Sequence, residues 1–418
     1  MPAMGKYRAG FLKIWGAALF LLLIFHVRGA SGAQFSAKSS LSVDEEYNDN
    51  VYLTEKDRTT DYITRVLPSL SFGYKAPLWN WDLAYTMDYR HYLNGSVGDN
   101  FANDLSVTNS TQLIKKFFYL DAKELYTRSS LSLTRNYTQE SLFVNQTDRN
   151  EFDLTPHFTL RPGSGTKVDV GYTYQNIWYK SSLAVSKQDN GVYAEAKKAV
   201  SPNLEINAGA LYHVDNNDIE DYNKTYAHAG SKYTYAPGCY LFFDVGDNIL
   251  DFKQSGTSNQ LSWDAGVNHQ IAAFAVKIES SSQIVENPTN IADKVDTYSI
   301  SLASDSARTP FTLNLFLGEY RDVRTETLRT RSYGVTATVS HNFTPHTAVT
   351  ASATAERLDD ELFDTYTNLV LSGLGFNYQI ARRVALTFNY QFVYSHSPVV
   401  MGDRYLNNQL TAGTTVTF

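Results

Sequence analysis

The carboxyl-terminal residues 384–418 alternate between apolar and polar side chains in two successive runs. In the first run, one face carries Val384, Leu386, Phe388, Tyr390, Phe392 and Tyr394, and the other carries Ala385, Thr387, Asn389, Gln391 and Val393. The second run has on one face Leu406, Leu410, Ala412, Thr414, Val416 and Phe418, opposite amide, hydroxyl and glycine residues. A period of two predicts strands that turn one face to an apolar medium and the other to water.

The same alternation occurs near the start of the chain. Between residues 81 and 90, Trp81, Leu83 and Tyr85 alternate with Asp82, Ala84 and Thr86, and the pattern continues to Arg90. In the core of a soluble sheet these charges would be buried unpaired, at several kcal/mol each. The pattern therefore favours a membrane barrel with an apolar outer face and a polar lumen.

Short turns alternate with longer polar connections along the whole chain. Nine short turns are predicted, at residues 75–80, 115–116, 162–166, 201–203, 236–238, 268–270, 305–310, 343–346 and 380–383. Longer loops are predicted at residues 94–103, 128–150, 215–224, 285–293 and 357–365. Nine turns join eighteen strands, and the first and last strands bring the expected number to about twenty, within a range of about 16–22.

These strands predict an all-β fold, a transmembrane antiparallel up-and-down barrel. Short turns and both termini are expected on the periplasmic side, since such barrels place their long loops outside the cell. Residues 128–150 are open to two interpretations, a further hairpin or one long loop. A long loop could fold inward as a constriction, because wide barrels need something to narrow them.

The amino terminus has the pattern of a secretory signal peptide. Lys6, Arg8 and Lys13 precede an apolar run at residues 14–25, and small residues follow up to Ala33. We therefore expect residues 1–33 to be cleaved between Ala33 and Gln34, leaving residues 34–418 as the barrel. An uncleaved anchor helix is the alternative, although the run is short for a membrane span.

Composition supports the same class of protein. Aromatic residues make up 14% of the chain, with 29 Tyr and 23 Phe, while mean hydropathy is −0.32. Cys239 is the single cysteine, so no disulfide can form within the chain, and it is expected to be a small packing residue. The formal net charge is −7, and removal of the basic signal peptide makes it more negative, so no nucleic-acid partner is expected.

Alternation also predicts which polar residues face the lumen. The pore-lining candidates are Arg65, Asp82, Asp88, Arg90, Tyr92, Asp153, His157, Asp169, Glu205, His213, Lys277 and Glu279, together with Arg161, Gln175 and Asp264. Their charges are mixed, whereas a pore for a polyanion should be lined with basic residues, so a neutral or weakly charged polymer is favoured. Alternatively, these groups only hydrate and brace the barrel interior. Sugar rings could stack on Tyr92, Tyr240, Phe242 and Phe316.

No catalytic or metal-binding motif is found. The sequence has no HExxH motif and no GxSxG motif. His396 lies beside Ser395 and Ser397, but neighbouring residues of a strand point to opposite faces. Acidic clusters near residues 215–221 and 359–364 could bind cations, but neither has the spacing of a calcium loop, and solvated loops are favoured. We expect no enzymatic activity, metal or cofactor.

A segment near the mature amino terminus carries a resemblance to a known family. Residues 40–74 read SLSVDEEYNDNVYLTEKDRTTDYITRVLPSLSFGY, and the matching features are residues 45–51, 61–64 and 68–70. This segment resembles the start of a family of bacterial outer-membrane barrels associated with exopolysaccharide export and PEP-CTERM/exosortase loci. The resemblance implies a non-enzymatic pore for a secreted polysaccharide.

Several partners and alternatives follow from this interpretation. The expected partners are outer-membrane lipids and lipopolysaccharide, the polysaccharide, periplasmic export proteins, and the barrel-assembly machinery, which would read the terminal Val416 and Phe418. A general diffusion porin and a non-transporting structural or adhesin barrel are the alternative functions.

Overall fold

The computed structural model describes residues 32–304, 306–399 and 403–418. Most of the predicted signal peptide, up to residue 31, is outside these residues, and the first strand begins at Gln34. Within the described part of the chain, no helix is long and apolar enough to cross a membrane.

The described residues form twenty strands in one sheet. Their bounds are β1 Gln34–Asn48, β2 Asp61–Ala76, β3 Trp79–Tyr92, β4 Asn100–Ile114, β5 Phe118–Ser130, β6 Gln146–Gly163, β7 Thr166–Tyr179, β8 Lys187–Ser201, β9 Leu204–Asn217, β10 Tyr222–Ala236, β11 Cys239–Phe252, β12 Gly256–Ile271, β13 Phe274–Glu286, β14 Ala292–Ser304, β15 Phe311–Asp322, β16 Leu328–Thr344, β17 Thr347–Asp360, β18 Thr365–Ala381, β19 Val384–His396 and β20 Tyr405–Thr417. One short 3₁₀ helix, Tyr137–Gln139, lies between β5 and β6.

The sheet closes on itself. Every strand pairs antiparallel with its neighbours in the chain, and β1 also pairs with β20, with Leu41 opposite Val416 and Asn48 opposite Gln409. Closure satisfies the backbone groups that an open edge would leave unpaired in lipid. The prediction of an up-and-down barrel of about twenty strands is confirmed.

The two ends of the barrel differ. One end, here named the turn end, has the short connections, such as residues 164–165 and 202–203. The start of β1 and the end of β20 also lie at this end. The other, named the loop end, carries the longest connections, at residues 49–60 and 131–145. Eight of the nine predicted turns coincide with a short connection at the turn end, and the ninth is displaced along the chain.

The exception is the turn predicted at residues 268–270. Asn268 pairs with Lys277 inside the ladder of β12 and β13, and the chain turns at Ala272, which has a φ of 51°. The sequence there, Ile271 to Phe274, has no glycine, proline or asparagine to indicate a turn. The more polar residues just before it were therefore the misleading signal.

The predicted loops were too long. The loop expected at residues 215–224 spans only residues 218–221, and the one expected at 357–365 spans only 361–364. Residues 128–150 contain a single connection at 131–145 rather than another hairpin. Hydrogen bonding between strand backbones does not depend on an apolar face. The strands therefore continue beyond the apolar belt into residues with polar side chains.

The two faces of the wall have the composition that alternation predicts. Tyr85, Phe388 and Leu410 are 36%, 46% and 52% exposed on the outer face. Asp88 and Asn407, at inward positions, are 8% and 0% exposed. A surface this apolar is typical of contact with hydrocarbon.

Candidate functional site: the lumen and the loops folded into it

Contacts between strands that are not neighbours identify the inward face. Arg149 on β6 forms an ion pair with Glu286 at the end of β13, with Nη2 and Oε2 2.8 Å apart. Six strands separate β6 and β13 in the sheet. The contact must therefore cross the lumen, and the side of β6 that carries Arg149 faces inward.

All the predicted pore-lining residues lie on this inward face by strand register. Glu205 is opposite Lys232, Asp169 is opposite Glu195, and His213 is opposite Gly191. The same alternation places inward Asp82, Asp153, His157, Arg161, Gln175, Asp264, Lys277 and Glu279. Whether a transported molecule touches them stays a prediction.

Near the loop end, three of these predicted residues form one cluster. Asp88 Oδ2 is 2.7 Å from Arg65 Nη2 and 2.6 Å from Arg90 Nη2. Arg90 also donates through Nη1 to the carbonyl of Leu142 at 2.5 Å. Leu142 belongs to the connection between β5 and β6, so this cluster joins the barrel wall to an inward loop.

Histidines and carboxylates brace the opposite wall. His213 Nδ1 is 2.9 Å from Asp189 Oδ2, and His228 lies between Glu195 at 2.9 Å and Asp244 at 3.0 Å. Of these, only His213 was singled out from the sequence. Alternation along each strand would also have predicted the other residues, since each is separated by an even number of positions from an inward residue of its strand.

The connection at residues 131–145, here named the constriction loop, folds into the lumen. Arg135 Nη2 donates to Ser395 Oγ at 3.1 Å and to the hydroxyl of Tyr405 at 2.5 Å. The side-chain amide of Gln409 donates to the carbonyl of Glu140 at 2.9 Å. Because β19 and β20 are far from β5 and β6 around the sheet, the loop reaches across the interior.

An ion pair lies at the centre of this contact. The guanidinium of Arg135 donates to both carboxylate oxygens of Glu140, at 2.8 and 2.7 Å, and these side chains are 4% and 1% exposed. Asp403 accepts from Arg135 Nη1 at 3.3 Å. Burial disfavours the charged guanidinium, but Glu140 outweighs burial, and the pKa of Arg135 is raised. We name Arg135, Glu140, Ser395, Asp403 and Tyr405 the Arg135 latch.

Apolar contacts surround the latch. Leu142 and Phe143 of the constriction loop pack against a cluster of Val51, Ile63 and Tyr92. Val144 packs against a second cluster, formed by Leu53, Leu369, Val393 and Tyr405. The lumen predicted from the sequence is lined with polar and occasional aromatic residues, and this small apolar core was not predicted. The sequence contained a signal for this core, because Ile63, Leu369 and Val393 are apolar residues at inward positions.

The hairpin tip between β13 and β14 also enters the lumen. Pairing of β12 with β13 ends at Trp263 and Ser282, whereas β13 and β14 stay paired as far as Glu286 and Ala292. The tip bonds to the β7–β8 side of the wall, where the amide of Val185 donates to the carbonyl of Pro288 at 2.8 Å.

Further contacts fix this hairpin tip. The hydroxyl of Tyr179 donates to Glu286 at 2.5 Å, and Lys187 donates to the carbonyl of Ile291. Ile291 is fully buried in a cluster with residues of β10 and β11 and with Val323. The constriction loop and this hairpin tip therefore enter the loop end of the lumen from different sides of the barrel.

The other residues singled out from the sequence have structural partners. Glu220 accepts from Ser255, which lowers the pKa of Glu220, and Asp221 pairs with Lys253 at 2.5 Å. In the second acidic cluster, Arg357 pairs with Asp359 at 2.7 Å. Among the described residues, no three His, Cys, Asp or Glu side chains are placed to hold a metal ion.

The remaining residues named from the sequence also have defined surroundings. Ser395 is buried in the latch, whereas His396 stacks on Tyr394 on the outer face, so the two do not form a pair. Cys239 is buried and accepts from the amide of Gln270 at 3.3 Å. The amide of Phe418 donates to the carbonyl of Ser39 at 2.8 Å, which ties the last residue to the first strand.

Comparison with solved structures finds similar barrels. The ferric citrate transporter FecA matches with a TM-score of 0.53 and 11% identity, over 92% of this chain and 79% of that one. The FrpB iron transporter from Neisseria meningitidis matches with a TM-score of 0.52 and 8% identity, over 91% and 82%. The siderophore receptor PirA from Pseudomonas aeruginosa matches with a TM-score of 0.50 and 11% identity, over 91% and 80%.

These similarities define the class of the fold. No family model matches the sequence, and no curated protein matches it. The chain has the fold of a bacterial outer-membrane β-barrel, as the receptors and transporters above have. At these identities the likeness concerns the fold alone.

Proposed function

We propose that this protein is an outer-membrane barrel that exports a secreted polysaccharide and opens only when its inward loops are released. The turn end would face the periplasm and the loop end the outside of the cell, as in barrels of this class. The observation that carries the proposal is a wide polar lumen that two of the chain's own segments cross at one end, the constriction loop and the β13–β14 tip.

The inward aromatic residues favour a saccharide. A methyl group placed on Gly266 would lie 2.7 Å from Cε1 of Phe242, and one on Gly334 would lie 3.0 Å from Cζ of Phe316. These rings therefore lie over glycines of the neighbouring strand, close to the wall. A ring held in this way can offer its free face to the apolar face of a sugar, while nearby carboxylates accept hydrogen bonds from the hydroxyl groups.

The lumen charges favour a polymer without strong negative charge. Most inward carboxylates have a basic partner nearby, as in the pairs of Lys123 with Glu151 at 2.9 Å and Lys277 with Glu279 at 2.5 Å. No uncompensated ring of basic residues is found along the described strands, although such a ring would be expected for a polyanion.

A constantly open diffusion porin is the weaker alternative. The Arg135 latch buries an ion pair to hold the constriction loop against β19 and β20. In a diffusion porin a fixed loop of this kind would narrow the pore permanently, whereas the passage of a polymer requires the loop to move. Uptake of a small ligand, as the names of FecA and PirA indicate for those proteins, would use the same opening in the opposite direction.

The export proposal is tested by gene deletion. The deletion strain should accumulate polymer in the periplasm and lose it from the surface, and the wild-type gene should restore export. Normal surface polymer in the deletion strain would contradict the proposal.

A cross-linked variant tests whether the loop must move. Gln391 bonds to the carbonyl of Gln139, so Gln139→Cys with Gln391→Cys can be joined by a short bifunctional thiol reagent. Joining them should stop export, whereas the single Gln391→Cys variant treated in the same way should export normally.

A further inference from the structure

A cavity of about 330 Å³ lies between the constriction loop and the wall formed by β16, β17 and β18. The loop contributes Thr134 and Tyr137 to its lining, and the wall contributes Thr330, Thr365 and Thr367. Hydroxyl groups thus line the cavity from both sides. The Oγ1 atom of Thr365 is buried and has no hydrogen-bond partner within the part of the chain that the structure describes.

An unpartnered buried hydroxyl group indicates that the cavity is built for a polar occupant. A buried donor or acceptor without a partner costs about 1–3 kcal/mol in a folded protein. A molecule rich in hydroxyl groups could satisfy Thr365 while it bonds to the other threonines. Leu131 and Leu358 add apolar surface to the same cavity, as the carbon-bound face of a sugar would require.

The charges around the cavity exclude an acidic occupant. Among the described residues that line the cavity, Arg135 is the single base, and Glu140 already neutralises its guanidinium. Asp360 and Asp403 also line the cavity, so the local balance is negative. A phosphate, sulfate or uronic acid would be repelled at this position.

The cavity shares Asp403 with the Arg135 latch. Asp403 accepts from Arg135 at 3.3 Å, from the hydroxyl of Tyr137 at 3.3 Å and from Thr367 at 3.5 Å. These bonds are longer than those between Arg135 and Glu140, and hydrogen bonds weaken as they lengthen. Asp403 is therefore the member of the latch that a competing hydroxyl group can take over most easily.

We propose that this cavity is a binding site for one unit of a saccharide without acidic groups, and that its occupation loosens the constriction loop. The hydroxyl groups of the sugar would bond to Thr365, Thr367 and Asp403 and replace the bonds from Arg135 and Tyr137. This inference rests on the proposed function, since it assigns to the exported polymer a site at which the polymer promotes its own passage.

Binding is tested by titration calorimetry on the purified full-length barrel. The probes are the tetramer of N-acetylglucosamine, its fully deacetylated form and tetragalacturonate. The first or second should bind, and tetragalacturonate should not. Thr365→Val with Thr367→Val should weaken binding about 30-fold, the equivalent of two lost hydrogen bonds.

A matched control lies on the same wall. Thr312 is exposed on the inward side of β15 near the turn end, far from the cavity, and Thr312→Val should leave binding unchanged. Heat-resistant migration on gels should show that all variants are folded. Equal binding by the double variant and the wild type, binding by tetragalacturonate alone, or binding by none of the probes would overturn the inference.

The coupling to the loop is tested separately. Addition of the bound tetramer to the loop side of a single barrel in a planar bilayer should raise the fraction of time spent open. Binding with no change in that fraction would overturn the coupling. A deletion strain that exports normally would refute the export proposal alone, because calorimetry reports on the cavity regardless of what the barrel exports.

Discussion

Replacement of Arg135 by alanine should open the barrel. Arg135→Ala removes the partner of Glu140, whose side chain is 1% exposed, together with donors to Ser395, Asp403 and Tyr405. A buried carboxylate left without its base costs about 3–5 kcal/mol. The released loop can return Glu140 to water, so this cost falls on the closed state. With a factor of ten for each 1.4 kcal/mol, the open-to-closed ratio should rise by about 140- to 3,700-fold.

Single-channel recording in planar bilayers measures this ratio. The wild-type barrel should be closed for most of the record, and Arg135→Ala should be open for most of it. Arg135→Ala with Glu140→Ala should open less than Arg135→Ala alone, because the double variant leaves no unpaired buried charge. Arg161→Ala is the matched control, since Arg161 is an inward arginine at the turn end, where it donates to the carbonyl of Lys116.

If Arg135→Ala is folded and remains as closed as the wild type, the latch does not hold the loop. If Arg161→Ala opens as much, the effect comes from the loss of lumen charge rather than from the latch.

Three further predictions concern the other parts of the lumen. Glu286→Ala removes the bonds from Arg149 and Tyr179, at 2.8 and 2.5 Å, and should favour the open state by about 1–3 kcal/mol, which is less than Arg135→Ala. The effects of the two substitutions should add, since the two contacts share no partner. A combined variant that opens no more than Arg135→Ala would contradict this. Burial and the nearby Asp403 and Glu140 raise the pKa of Tyr137 from 10.0 to about 12, although Arg135 acts in the opposite direction. The closed loop holds the neutral phenol, so the contribution of Tyr137 to the stability of the closed state is complete below about pH 10. This contribution is lost as the pH rises through about 12. The open fraction should therefore be flat below pH 10 and rise above it, and Tyr137→Phe should abolish the rise. Gly191→Ala would place a methyl group against the ring of His213 and should lower stability by about 1–3 kcal/mol in urea unfolding, whereas Gly98→Ala, with open space around it, should not.

The barrel wall could be predicted because its signals are local. Alternation with a period of two gives the face of each residue, and turns rich in proline, glycine and asparagine separate the strands. Tyr85 and Phe388 lie outside and Asp88 lies inside, as the pattern predicts. Strand ends were less predictable, because Asp215 and Asn217 belong to the ladder although their composition is typical of a loop.

The course of the constriction loop could not be predicted in the same way. Arg135 bonds to Tyr405, 270 residues away in the sequence, and no local pattern indicates a contact of that range. Length alone suggested that residues 128–150 could turn inward. Apolar residues at inward positions, Ile63 and Val393, were the stronger signal, since such side chains must be covered by something in a water-filled lumen.

The alternation itself can be measured in a lipid bilayer. Spin labels placed one at a time along residues 385–392 of β19, with the full-length barrel in liposomes, report contact with oxygen dissolved in lipid and with a water-soluble nickel complex. Labels at Leu386, Phe388 and Tyr390 should respond to oxygen, and labels at Thr387, Asn389 and Gln391 should respond to nickel. Equal responses at odd and even positions, or the opposite alternation, would contradict a barrel whose apolar face contacts the membrane and whose polar face surrounds a lumen.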